Sequence, residues 1–190
     1  LGVCNGDCAS DADGDGVCDT PDFVPTTPCV DGFAGIYPCD QVDFMSHLTP
    51  GEVGGGEMND IWGWTDPLDG KEYALLGRTT GTAFIDVTDP NNPVYLGDLP
   101  SHTVSSLWRD IKVYLDHAFI VSDVNGSHGM QVFDLTQLRN VVNPPVTFAE
   151  TAHYNQFGSA HNIAINEDSG FAYVVGSSSC NAGLHIVDLS

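Results

Sequence analysis

Positive charge is scarce in this sequence: Lys71, Lys112 and three arginines stand against 26 acidic residues, leaving a formal net charge of −21 at pH 7. Such an imbalance repels nucleic acid and anionic lipid surfaces, so the expected partners are cations, neutral surfaces or sugars. It suits a salty or calcium-rich exterior, where screening relieves the self-repulsion. Long apolar runs are missing as well; none reaches the roughly 18 residues that span a bilayer, and direct membrane insertion is not expected. The sequence starts at Leu1 with no basic, apolar leader, and reads as a mature secreted or cell-surface segment. It holds no G-x-S-x-G, no H-E-x-x-H and no glycine-rich phosphate loop followed by Lys. Helical periodicity is absent too, apart from one turn around Thr136 to Asn140. What remains is a chain of 190 residues, 42% apolar, with material for a real core.

Cysteine is unevenly spread. Cys4, Cys8, Cys18, Cys29 and Cys39 crowd the first 39 residues and Cys180 stands near the other end. This density beside acidic turns suggests disulfides in an oxidising, extracellular compartment. Local pairing predicts Cys29 with Cys39 and Cys8 with Cys18, leaving Cys4 and Cys180 to pair together or with something outside the chain. The spacings form no pair of C-x-x-C knuckles, which argues against zinc there. Asn125-Gly126-Ser127 is a glycosylation sequon, relevant only in a host that glycosylates.

The stretch DADGDGVCDTPD carries carboxylates at loop positions 1, 3, 5, 9 and 12 (Asp11, Asp13, Asp15, Asp19, Asp22), with Gly16 at the turn and the Val17 carbonyl at position 7. That is the ligand order of a twelve-residue calcium loop. Ca2+ is the cofactor it predicts, at about 10⁻⁴ to 10⁻³ M for an extracellular module. Position 12 is Asp rather than the longer Glu, which weakens the last bidentate contact. The flanks, LGVCNGDCAS and FVPTTP, cannot make the two helices of an EF-hand. From Cys4 to Cys29 the segment instead resembles a thrombospondin type 3 repeat, which implies a structural calcium site braced by disulfides.

Beyond residue 50 the sequence repeats. NDIWGW, RDIKVY and HNIAIN each open on polar residues and continue as an apolar strand, with Ile61, Ile111 and Ile163 spaced 50 and 52 residues apart. Second runs follow at YALLG, HAFIVSD and FAYVVG, and third runs at TAFIDV, MQVFDL and LHIVDL. Fourth strands are expected at VYLGDL and VTFAE. The expected fold is therefore all-β, a partial β-propeller of about three four-stranded blades preceded by a disulfide-rich calcium-binding loop segment. The expected divisions are residues 1–28 for the calcium segment, 29–52 for a disulfide-containing lead-in and linker, and 53–190 for the blades. A propeller normally needs at least four blades, so the missing ones come from the remainder of a longer chain or from other copies, as a homo-oligomer or filament.

Taken together, NDIWGWTDPLDGKEYALLG, GTAFIDVTDPNNPVYLGDLP, WRDIKVYLDHAFIVSD, GMQVFDL and AHNIAINEDSGFAYVVG resemble the choice-of-anchor B family with its LVIVD-type repeats, over roughly Cys29 to Ser190. The resemblance implies an exported, propeller-like surface protein. It brings no catalytic residues with it.

In a propeller the loops before the first strand and between the second and third strands share one face. Asp60, Arg109, Asp110, Asp123, His128 and His161 would then converge at a channel mouth, a common ligand position. His47, His102 and His153 recur in SHL, SHT and AHY; a ring of imidazoles can bind a transition metal, but a residue recurring once per blade is more simply a structural hydrogen bond. Asp86, Asp134 and Asp188 are expected to cap the turns after the third strands. Trp62, Trp64 and Trp108 are expected in the core, with sugar stacking as their functional alternative. The leading expectation is a non-enzymatic, calcium-binding surface protein for adhesion, binding or extracellular assembly. The alternatives are a metal-dependent hydrolase with its site at the mouth, and a glycan-binding module.

Overall fold

The structure, a computed structural model, describes residues 27–190, and they form an all-β protein of four open sheets with no closed barrel among them. The chain divides into two compact units, one comprising Leu1–His47 with Asp89–Pro93 and the other Leu48–Thr88 with Val94–Ser190. In the first unit, β1 (Phe33–Ala34) and β2 (Tyr37–Pro38) make a small antiparallel pair. The Cys29–Cys39 disulfide closes this segment, with Cα atoms 5.9 Å apart, and Tyr37 packs on Phe44. Cys8 and Cys18, the other expected pair, lie outside the described residues.

The second unit holds three sheets that follow the sequence repeats. Sheet I contains β3 (Met58–Thr65), β4 (Glu72–Arg78), β5 (Gly81–Asp86) and β6 (Val94–Pro100) as an antiparallel meander. Sheet II contains β7 (Arg109–Tyr114), β8 (His117–Ser122) and β9 (Met130–Asp134). Sheet III contains β12 (Asn162–Asn166), β13 (Phe171–Val175) and β14 (His185–Asp188). The first strands, β3, β7 and β12, lie next to one another in that order.

The outer strands depart from expectation. VTFAE yields only β10 (Val146–Thr147), and it runs parallel to β6 at the edge of sheet I instead of completing sheet II. Sheet II takes its fourth strand from β11 (Ala152–Tyr154), antiparallel to β9. Pro144 and Pro145 precede β10 and send the chain back across sheet I. Gly97 makes this pairing possible: at φ +139° it has no side chain, and a Cβ there would sit 1.9 Å from the Val146 carbonyl oxygen. Gly97→Ala should therefore expel β10 and cost about 1–3 kcal/mol. Thermal unfolding checks this; an unchanged midpoint would mean β10 contributes nothing.

Side-chain alternation explains the stacking. Along β8, Ala118 and Ile120 point toward sheet I, joining Trp64, Tyr73, Leu75, Phe84 and Phe133, while Phe119 and Val121 point toward sheet III, joining Ile163, Ala172 and Val174. A sheet covered on both faces reads as a continuous apolar run, which is why HAFIV shows no polar alternation. Phe84 of sheet I and Phe133 of sheet II stack with centroids 4.6 Å apart. Sheet III has an uncovered outer face, whereas the outer face of sheet I is covered over Ala83 and Ile85 by Leu48 and Val53 and stays open only along β3. Ile61 on sheet I is 62% exposed, and Ile186 on sheet III is 54% exposed.

The turns after the third strands share one device. The amides of Thr88, Thr136 and Ser190 each donate to the carboxylate two residues earlier, Asp86, Asp134 and Asp188, at 3.0 Å. In sheet II this leads into the 3-10 turn Leu135–Asn140, from which Arg139 makes a two-pronged ion pair to the buried Asp66 at 2.6 and 2.7 Å. Those hydrogen bonds hold the Asp66 carboxyl below its ordinary range. Leu48, in the segment expected as linker, and Val53, where the blades were expected to begin, pack with sheet I: Val53 is buried and its carbonyl accepts from Arg78 at 2.8 Å.

Candidate metal centre and the polar cluster beneath it

Two of the residues expected at a channel mouth are engaged between sheets. Asp60 Oδ2 accepts from the Ile111 amide at 2.8 Å, and Asp110 Oδ2 accepts from the Ile163 amide at 2.7 Å. Each carboxylate precedes the isoleucine of its own strand and reaches the isoleucine amide of the next sheet. Asp110 also receives Lys112 Nζ and Asn162 Nδ2. Burial pushes the Asp60 carboxyl up, and the Asp110 charge adds to this against the pull of the Ile111 amide. The strand pattern D-I therefore works as a clamp.

Arg109 and His128 do meet. The guanidinium is buried, donating through Nε to the Arg78 carbonyl at 2.6 Å and facing His128 Nε2 from Nη1 at 3.2 Å. Burial, with Arg78 nearby, lowers its pKa to about 10, so it stays charged at neutral pH. His128 has no exposed surface, and burial pushes its imidazole down to about 4. The ring is neutral at pH 7. Its Nδ1 lies 3.0 Å from the Gly129 carbonyl, which can only accept, so the proton belongs on Nδ1 and Nε2 is left to accept from Arg109. Gln131, also buried, stands 3.1 Å from that nitrogen through Oε1, while its Nε2 donates to the Pro100 carbonyl and to Glu150 Oε2.

Above this layer, His102, Glu150 and His153 offer one ligand atom each, all within 4.8 Å of one another. His102 follows β6, Glu150 follows β10 and His153 lies on β11, so the same chain reversal that moves β10 to sheet I assembles the group. His102 Nδ1 is 2.8 Å from Glu150 Oε1, and the two imidazoles stack at 3.6 Å. His153 Nε2 donates to the His128 carbonyl at 2.7 Å. The recurrence of SHT and AHY pointed to these two histidines; Glu150 and Gln131 carried no repeat signal and emerge only from the fold.

Asp123 and His161 form a more exposed hydrogen-bonded pair at 2.8 Å, separate from Arg109 and His128 in their bonding. The six expected mouth residues thus fall into three pairs: a clamp pair, a buried pair and a surface pair. Asn125 is fully buried, its amide nitrogen donating to Ser122 Oγ and its oxygen accepting from Thr103. A glycan on that amide would require its release from the fold. Trp64 is core, but Trp62 and Trp108 are not: they are 40% and 51% exposed, Trp62 on β3 and Trp108 in the loop just before β7. Lys112 Nζ sits 4.4 Å above the Trp62 ring. Cys180 is exposed and carries no disulfide among the described residues. The calcium-loop positions Asp11, Asp13, Asp15, Val17, Asp19 and Asp22 lie outside the described residues.

One further arrangement has the look of nucleophile chemistry. Ser179 Oγ is 2.8 Å from His185 Nδ1, and the ring's other nitrogen meets the Tyr154 hydroxyl at 2.9 Å. A phenol in the orienting position does not stabilise an imidazolium as a carboxylate would.

No family profile, curated protein or solved structure matches the chain.

Proposed function

We propose that the chain is part of an exported, calcium-dependent β-propeller of the choice-of-anchor B kind, a surface scaffold for binding, adhesion or extracellular assembly rather than an enzyme. One observation carries the reading: the carboxylate-to-amide contact that joins sheet I to sheet II recurs between sheets II and III, across 51 and 53 residues. Units joined by one repeated contact, each with its first strand beside the next unit's first strand, behave as blades about an axis. Ca2+ is the ion proposed for the Asp11–Asp22 loop, where all donors would be oxygen.

The open strip along β3 and the uncovered face of sheet III define the partners. Further sheets of the same kind, from the remainder of a longer chain or from other copies, would seat on Ile61 at one end and on Ile186 at the other. The groove along β3 and β4, lined by Ile61, Trp62, Tyr73 and Val87, holds about 620 Å³ at the first of these. The chain by itself should accordingly self-associate with rising concentration in sedimentation velocity. Ile61→Asp and Ile186→Asp should each return it to a monomer with an unchanged circular dichroism spectrum. A wild-type chain that stays monomeric at every concentration would remove the assembly reading. Glycan capture is the second reading, drawing on the exposed Trp108 ring.

A further inference from the structure

We propose that His102, Glu150 and His153 bind a transition-metal dication of the zinc class, independently of the calcium loop and of the propeller reading. Two imidazoles and one carboxylate form a mixed nitrogen and oxygen set, which suits Zn2+, Co2+ or Ni2+ and not Ca2+ or Mg2+, whose sites are built from oxygen. Three protein ligands leave a coordination position for water or for a donor from a partner.

Convergence alone would be a surface accident, but two of the three ligands, His153 and Glu150, are held from behind. The His153 Nε2–H is committed to the His128 carbonyl, so the ring's lone pair belongs to its other nitrogen. Glu150 is fixed through Oε2 by Gln131, which is itself 2% exposed and tied to the Pro100 carbonyl. Such outer contacts orient ligands in metal sites. They leave Glu150 Oε1 turned to His102 Nδ1, 2.8 Å away. Bonds of about 2.0–2.2 Å place tetrahedral ligands about 3.3 Å apart, so the metal takes the place of the proton between this pair as they open by about half an ångström. His102 is the ligand that has to swing, and with a side chain 32% exposed it has room to do so.

Charge favours the ion. With both rings neutral the set carries one negative charge, in a chain of net −21. Arg109 bonds the His128 ring and the Arg78 and Thr79 carbonyls, and none of these bonds goes to the three ligands.

The full chain, kept in excess calcium, should bind one equivalent of Co2+ added alone, read by its visible d–d absorption, and Zn2+ should displace it. In the wild-type chain the imidazole resonances of His102 and His153 should shift on Zn2+ addition while those of His117 stay put, a readout that needs no variant. Glu150→Gln, which keeps the shape and the bond to Gln131, and His153→Gln should each weaken binding by about 100-fold or more. Gln131→Leu should weaken it by about 10-fold through loss of orientation. A Co2+ titration with no saturable absorption would overturn the proposal. So would unchanged affinity in Glu150→Gln, or an intense near-ultraviolet sulfur-to-cobalt band, which would put the ion on a cysteine.

Discussion

Lowering the pH from 7 to 4 is expected to cost the fold on the order of 3 kcal/mol through His128 alone. The unfolded imidazole titrates near 6.5, whereas burial, helped by the Arg109 charge and against the pull of the Gly129 carbonyl, pushes the folded one down to about 4. Between these values the unfolded chain binds a proton that the native chain refuses. Stability from this group is therefore complete above pH 6.5 and is lost as the pH falls through the folded value. Other groups act elsewhere or oppositely. Asp66 and Asp188 have lowered carboxyls and lose their contributions in stronger acid, whereas Asp60, raised by burial, takes up its native proton early and opposes the loss. The clean measurement is a difference: urea unfolding of the wild type and of His128→Gln across this range. The wild-type curve should fall more steeply than the variant's between pH 6.5 and 4. Parallel curves would show that the ring is protonated in the native state, and the neutral assignment with its acceptor role toward Arg109 would fail.

Asp110→Ala should be the most damaging single substitution in the clamp, at about 3 kcal/mol, or a fall of about 6–12 °C in melting temperature for a chain of this size. Its side chain is 8% exposed, and it satisfies the Ile163 amide, Asn162 and the Lys112 ammonium together. Alanine leaves a buried amide without an acceptor and an ammonium without its partner. Asp110→Asn keeps an acceptor for Ile163 and should cost about 1 kcal/mol. Asp60→Ala removes the equivalent bond at a more open position and should fall between the two. If Asp110→Ala and Asp60→Ala both prove neutral, the repeated contact does not hold the sheets together, and the blade reading loses its support.

Several of these features can be read along the chain. The strand centres at Ile61, Ile111 and Ile163, the runs that follow them and the capping aspartates at 86, 134 and 188 are local patterns, decided by neighbours two to four residues away. The Cys29–Cys39 bridge belongs to the same class, since a short spacing limits the alternatives. The Asp60 and Asp110 carboxylates were visible as a recurring D-I pair, but their targets were not, because a side chain's acceptor can lie a whole sheet away.

What the sequence determined by itself is the alternation of apolar strands and polar turns, hence an all-β protein with three recurring units. Tertiary structure alone decided that β10 crosses to sheet I, that Trp62 and Trp108 are exposed while Asn125 is enclosed, and that His102, Glu150 and His153 come together. The physical reason is range: strand and turn formation depends on side chains within a few residues, whereas which edge a strand joins and which faces are covered depend on packing between segments some fifty residues apart.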